Sequence, residues 1–259
     1  MVYFRNIDKG LCNFLCCFLF FYINNLGRPI EINTLKIDAE KGNNFNILFK
    51  NNSVIPNSKF KNTKIDIFLK FRLFWLDENI KKIYKYGLKQ LLVKDHILSY
   101  VNNFSNYFNE NTVSVHIRTW DSETNTRTNN SHAKRRRKLF TLDTYIYHMN
   151  KLIKESNDEV NFFISCDNSK YNQQLIEIFG NKIIFYQKSK DLSWKENDMA
   201  SLLLLSKNKI FIATYSSTFS QIAYLYNDNI TTLIYGDEIK KSTGRPNPIN
   251  PVNINNPTD

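Results

Sequence analysis

The sequence predicts an α/β protein built on mostly parallel sheet. Three observations carry that reading. Between residues 112 and 235, short β-branched or aromatic runs alternate with helical patterns five times, as βαβ units do when they wind a parallel sheet. The chain also opens on a strand–turn–helix–strand unit of the same kind. Finally, its 259 residues are 42% hydrophobic and 23% charged, which suffices for one large domain or two small ones with their own cores. The same balance excludes a disordered chain and a fibrous repeat.

Val2 to Asn6 reads as a first strand, Asp8-Lys9-Gly10 as a turn, and Leu11 to Asn25 as a helix that Gly27 stops before a strand from Pro29 to Ile32. The run from Leu11 to Ile23 is the most apolar in the chain, but Asn13 interrupts it and Asn24-Asn25 ends it. It is shorter than the roughly 20 apolar residues of a membrane span. It also lacks the basic start and small-residue cleavage site of a secretory signal. A helix buried against a sheet is the expectation. Residues 38–64 are polar and Asn-rich, so loops with short strands are expected; Ile65 to Leu76 is apolar and aromatic without a legible form. Ile80 to Ser99 has a helical pattern with Ile83, Leu88, Leu91 and Leu92 on one side.

The second half is plainer. Thr112 to Ile117 is a β-branched strand, and residues 119–138 form a polar, basic loop. Thr141 starts a helix with Asp143 in its first turn. Asn161 to Ser165 is a strand; Tyr171 to Phe179 is a helix closed by Gly180. Strands at Lys182 to Tyr186, Lys209 to Ala213 and Ile230 to Tyr235 are separated by helices at Asp198 to Ser206 and Thr218 to Tyr226. After Gly236 the chain is rich in Pro, Asn and Lys and reads as a flexible tail from 241 to 259.

The net charge is +11, and much of the excess sits in Lys134-Arg135-Arg136-Arg137-Lys138. A run of this kind is a solvated face, or it meets an anionic partner. Three of the four cysteines, Cys12, Cys16 and Cys17, lie in the apolar run and Cys166 stands apart. That is no disulfide framework; reduced thiols in an intracellular compartment are expected. Asparagine occurs 36 times. Such abundance multiplies chance glycosylation sequons, so Asn103-Phe104-Ser105 carries no weight.

In a doubly wound sheet, ligands lie at the carboxyl ends of the strands. The strand Thr112–Ile117 ends in Arg118, which is either a surface arginine or a guanidinium placed to grip a phosphate through two hydrogen bonds. The next strand ends in Cys166-Asp167-Asn168. There Asp167 either caps the following helix or binds a ligand. The segment from Lys209 to Tyr226, KIFIATYSSTFSQIAYLY, runs a buried strand through Ser216 and Ser217 into a helix at Thr218. Its hydroxyls can serve as a plain N-cap, or the turn and helix dipole can seat a phosphate without a Gly-rich loop. Dinucleotide-binding, Walker, nucleophile-elbow and zinc spacings are absent, and no Asp-x-Asp pair occurs.

Three segments in this order resemble the fucosyltransferase superfamily that uses GDP-fucose, which includes the α-1,2, α-1,6 and protein O-fucosyltransferases. VSVHIR, Val113 to Arg118, is similar to a strand ending in His-x-Arg; FFISCDN, Phe162 to Asn168, to a strand ending in Ser-Asp; and LLLLSKNKIFIATYSSTFSQIAYL, Leu202 to Leu225, to the third motif. The opening KGLCNFLCCFLFFYINNLGRPI resembles the family's N-terminal turn and helix.

The resemblance implies a GT-B-like fold of two Rossmann-like halves facing a cleft. It places a reduced acceptor-side half at 1–110 and a nucleotide-sugar-binding half at 111–240. Arg118 would hold the β-phosphate, His116 would lie at the guanine end, Ser216, Ser217, Thr218 and Phe219 would line the diphosphate seat, and Asn13 would face the cleft. Asp167 belongs to the same donor side. Where the family has a guanine-contacting Asp this chain has Ser201, and Asp198, one turn earlier, is the candidate for its role; Cys12 replaces a glycine of the N-terminal turn.

The implied activity is inverting, metal-independent transfer of fucose from GDP-fucose to a glycan or protein hydroxyl, with Glu123 or Asp121 as general base by position. No bound cofactor is expected beyond that nucleotide-sugar donor. Without a membrane anchor, the cytoplasm is the expected compartment. The competing readings are a non-catalytic relative that binds a nucleotide sugar or glycan, and a basic nucleic-acid-binding protein resting on residues 134–138.

Overall fold

The structure is a computed structural model. It describes residues 2–5, 11–24, 30–33, 48–50, 54–55, 78–120, 140–215, 217–236 and 252–253. The apolar segment 65–76, the basic run 134–138 and most of the tail lie outside these residues. The chain forms two compact units. One comprises Met1–Asn103, Lys188–Leu203 and Gln221–Tyr226; the other comprises Phe104–Gln187, Leu204–Ser220 and Asn227–Asp259.

The first unit opens as its sequence predicts. Strand β1 (Val2–Arg5) leads to helix α1 (Leu11–Asn24) and strand β2 (Ile30–Asn33), which pairs parallel to β1 with Val2 opposite Ile30. A two-residue strand, β3 (Val54–Ile55), adds antiparallel to β2. Helix α1 buries Leu11, Leu15, Phe18, Leu19 and Tyr22, a stripe at helical spacing. The apolar run is thus a core helix. Among the described residues no helix is long and apolar enough to cross a membrane.

The helix expected over 80–99 is two helices, α2 (Glu78–Lys89) and α3 (Asp95–Ser105). Between them Val93 bridges antiparallel to Phe49. Lys50 N–H donates to the carbonyl of Leu92 at 2.7 Å, and Lys94 N–H to that of Leu48 at 2.9 Å. A distant stretch of chain therefore supplies strand-type partners to residues 92–94, and no Gly or Pro marks the break in the sequence.

The helix expected from Asp198 to Ser206, α6, starts one turn earlier and runs Trp194–Leu205. Ser193 and Glu196 close its first turn reciprocally: Glu196 Oε2 accepts Ser193 N–H at 2.8 Å and Ser193 Oγ accepts Glu196 N–H at 3.4 Å. That capping box is written in the sequence as Ser193-x-x-Glu196.

Among the described residues the second unit holds a six-stranded sheet. Its strands are β4 (Thr112–Ile117), β5 (Asn161–Cys166), β6 (Ile183–Phe185), β7 (Ile210–Ala213), β8 (Thr232–Tyr235) and β9 (Val252–Asn253), in the spatial order β6-β5-β4-β7-β8-β9. The first five pair in parallel; β9, two residues of the tail, is antiparallel to β8. The helices α4 (Leu142–Glu155) and α5 (Lys170–Phe179) connect strands within this unit, whereas α7 (Thr218–Tyr226) starts in it and has Gln221–Tyr226 in the first. Gly180 ends α5 with φ 56°, a left-handed conformation that costs glycine nothing sterically.

Every residue of β4 is buried, as a central strand covered on both faces should be. One face packs Val113, Val115, Ile117, Phe162 and Ile164 against Tyr145 and Met149 of α4 and Leu175 and Phe179 of α5. On β5 the alternate residue Phe163 meets Phe108 at 5.0 Å and Phe104 at 5.8 Å between ring centroids.

Candidate functional site

The strand order defines one special place in the second unit. From β4 the chain steps outward through β5 to β6, then returns to the other side of β4 and steps outward again through β7 to β8. The winding reverses between β4 and β7. In open α/β sheets the loops on either side of such a reversal diverge and leave a crevice beyond the carboxyl ends of the strands, where ligands bind. Arg118 follows β4 there, and Thr214 to Ser217 follow β7 into α7.

One hydroxyl joins the two strand ends. Thr214 Oγ1 accepts Arg118 N–H at 3.0 Å and donates to the carbonyl of His116 at 2.9 Å. Its single hydrogen is then committed, so Tyr145 is the donor of the 2.7 Å bond between Tyr145 Oη and Thr214 Oγ1. Thr214 is 1% exposed and Tyr145 fully buried. Gly236 makes room for that ring: a Cβ there would fall on the ring of Tyr145.

The side chain of Arg118 is 28% exposed. Its Nη1 donates to Asp167 Oδ2 at 2.6 Å. Asp167 Oδ1 accepts both Thr119 N–H, at 2.7 Å, and Thr119 Oγ1, at 2.9 Å. Asp167 therefore clamps the chain that leaves β4. It does not cap α5; Asn168 Oδ1 takes the nearby Lys170 N–H at 3.1 Å. Trp120 lies with its ring 5.3 Å from the guanidinium carbon of Arg118.

His116 is 5% exposed. Its Nδ1 is 2.7 Å from Ser220 Oγ, which also accepts Thr214 N–H at 3.0 Å, and its ring stacks on Phe219 at 5.0 Å. Burial, and secondarily the charge of Arg118, push the imidazole down to about 3. His116 is neutral at physiological pH and ties β4 to the first turn of α7. Ser217 N–H donates to the carbonyl of Thr214 at 3.1 Å, closing the turn before Thr218 opens the helix. The first turn of that helix carries the positive end of its dipole, which favours an anion.

The structure thus gathers His116, Arg118, Asp167, Ser217, Thr218 and Phe219 around one group of strand ends. Asp198 is carried by α6 in the first unit, as is the buried Ser201. Asn13 lies on α1, and its side chain is outside the described residues, as are Ser216, Asp121 and Glu123. Sequence reasoning missed Thr214, Tyr145, Trp120 and Ser220. Tyr145 had a signal: a tyrosine in an otherwise aliphatic core stripe needs a partner for its hydroxyl.

No protein-family model matches the sequence, and no curated protein matches it. Solved structures do match in fold. The fucosyltransferase NodZ from Bradyrhizobium superposes with a TM-score of 0.58 at 14% identity, over 90% of this chain and 94% of that one. The NodZ α-1,6-fucosyltransferase soaked with GDP-fucose gives 0.57 at 13%, with the same coverage. NodZ co-crystallised with GDP gives 0.57 at 13%, over 90% and 93%. The fold is that of these GT-B fucosyltransferases, as the resemblance in the sequence implied.

Proposed function

We propose that this protein is a glycosyltransferase that moves fucose from GDP-fucose to a hydroxyl of a glycan or protein. The observation that carries the reading is the convergence of Arg118 and the start of α7 at the winding reversal between β4 and β7. The likeness in fold to fucosyltransferases solved with GDP or GDP-fucose supports it. In this reading the acceptor oxygen attacks C1 of fucose, the bond from C1 to the β-phosphate oxygen breaks, and GDP leaves. The acceptor proton passes to a carboxylate, for which Glu123 and Asp121 are the positional candidates. Charge that builds on the β-phosphate is met by the guanidinium of Arg118 and the 216–218 turn that opens α7, a preorganised arrangement worth several kcal/mol. The guanidinium takes the part that a metal plays elsewhere. His116, neutral and committed to Ser220, ties β4 to the first turn of α7 beside that seat.

A thermal-shift panel of GDP, UDP and ADP tests the nucleotide, because a ligand bound only by the folded chain raises its melting temperature. GDP should give the largest rise. Incubation with GDP-fucose should release GDP slowly by hydrolysis, and Arg118→Ala should abolish that release with the fold intact. Equal release from Arg118→Ala refutes the role of the guanidinium. Binding of GDP without any turnover leaves a binder rather than an enzyme.

A further inference from the structure

Trp120 is one of three non-glycine residues with positive φ among those described, at 63°. The other two, Asn157 and Asp158, are of the types that tolerate this region; a bulky aromatic residue is an outlier there. Such a conformation persists only where its surroundings over-determine it, and it gathers at ligand-binding sites. The surroundings are visible. Thr119, immediately before, is bound by both its N–H and its hydroxyl to Asp167 Oδ1, and Arg118, one residue earlier, by Nη1 to Oδ2 of the same carboxylate. Thr214 holds the N–H of Arg118 from the other side. With residues 118 and 119 fixed at these points, the left-handed turn at 120 swings the indole back over the guanidinium, 5.3 Å from its central carbon.

We infer that Trp120 is a positioning residue for diphosphate binding, holding the Arg118 guanidinium as a plane between an indole face and the Asp167 carboxylate. The inference rests on the proposed nucleotide-sugar reading and adds a residue to it. A guanidinium with one N–H on a carboxylate can still pivot about that bond. The indole removes the pivot and strips water from one face, leaving N–H groups that Asp167 does not take for bonds to a phosphate. The ligand class is a nucleoside diphosphate or its sugar ester, presenting its β-phosphate to the guanidinium.

The test uses the full-length protein, GDP as probe, and four variants: Trp120→Gly, Trp120→Ala, Trp120→Phe and Arg118→Met. Calorimetric titration reads affinity, and melting without ligand reads stability. Both Gly and Ala at 120 should weaken GDP binding about threefold or more, the effect of losing one cation–π face, and Phe should recover most of it. Stability should follow another order: the Gly variant should melt above the Ala variant, since only Gly relieves a positive φ. GDP binding that follows stability, weaker in Trp120→Ala than in Trp120→Gly, would assign Trp120 a merely structural role and overturn the inference. GDP binding unchanged in Trp120→Gly, with binding lost in Arg118→Met, overturns it while the site itself stands. A wild-type chain that does not bind GDP overturns both.

Discussion

The carboxylate of Asp167 and the guanidinium of Arg118 meet at 2.6 Å across the ends of two neighbouring parallel strands. Register makes the meeting inevitable. Ile117 is paired with Cys166, so the residues that follow them leave the sheet side by side. Asp167 is 12% exposed at its side chain and accepts three hydrogen bonds from residues 118 and 119. The guanidinium thus carries an anion beside it that holds it in place.

The first prediction concerns that carboxylate. Asp167→Ala should destabilise the fold by about 2–3 kcal/mol, because three donors lose a charged acceptor. Asp167→Asn should recover part of the loss through its remaining carbonyl oxygen. Denaturant unfolding of the two variants checks this, and equal stability of Asp167→Ala and wild type would show that water replaces the clamp. Weaker GDP binding in Asp167→Ala at a temperature where the chain is still folded would add that the clamp also orients Arg118.

The sequence made the second unit's order of strands and helices legible, because strands as apolar as Phe162–Ile164 and helices as patterned as Leu142–Glu155 each declare their type within a few residues. Arg118, Ser217 and Thr218 were legible for a related reason: they directly follow or open a readable element. What stayed hidden depends on partners far away in the chain. The break at 90–94 is made by residues 48–50. The role of Asp167 is decided by Thr119, 48 positions earlier, and that of Tyr145 by Thr214, 69 positions later. His116 precedes Arg118 by two residues in the sequence, yet it is buried because it faces Ser220 and Phe219 of α7. Spacing within a motif does not report which face of a strand is covered.

The second prediction isolates Thr214. Thr214→Val keeps shape but leaves Arg118 N–H, the His116 carbonyl and the Tyr145 hydroxyl without their partner. Buried groups stranded in this way cost about 1–3 kcal/mol each, so a loss of about 3 kcal/mol or more is expected. Tyr145→Phe strands no donor, and Thr214 keeps its bonds to Arg118 and His116, so about 1 kcal/mol is expected there. Chemical denaturation of both variants supplies the comparison. Losses of equal size would mean that Thr214 acts only through Tyr145 and does not itself join β4 to β7.

The third prediction is a pH dependence with a definite sign. His116 is held near 3 in the folded chain, against 6.5 for an ordinary histidine. The unfolded chain therefore takes up a proton below about pH 6.5 that the folded chain refuses until about pH 3. Stability is then highest above 6.5 and falls as pH drops through the window between the two values, by about 2 kcal/mol from pH 7 to pH 5 for this one group. His148 is also depressed, by burial and then by Lys151, and contributes in the same direction. His116→Asn removes the titration of residue 116 while keeping a polar atom near Ser220, so the difference between wild type and variant separates the two histidines. Unfolding midpoints at pH 7 and pH 5 should show the wild type losing more stability than His116→Asn. An identical loss in both would mean that residue 116 titrates normally in the folded protein, and that the imidazole reaches water instead of being sealed between Ser220 and Phe219.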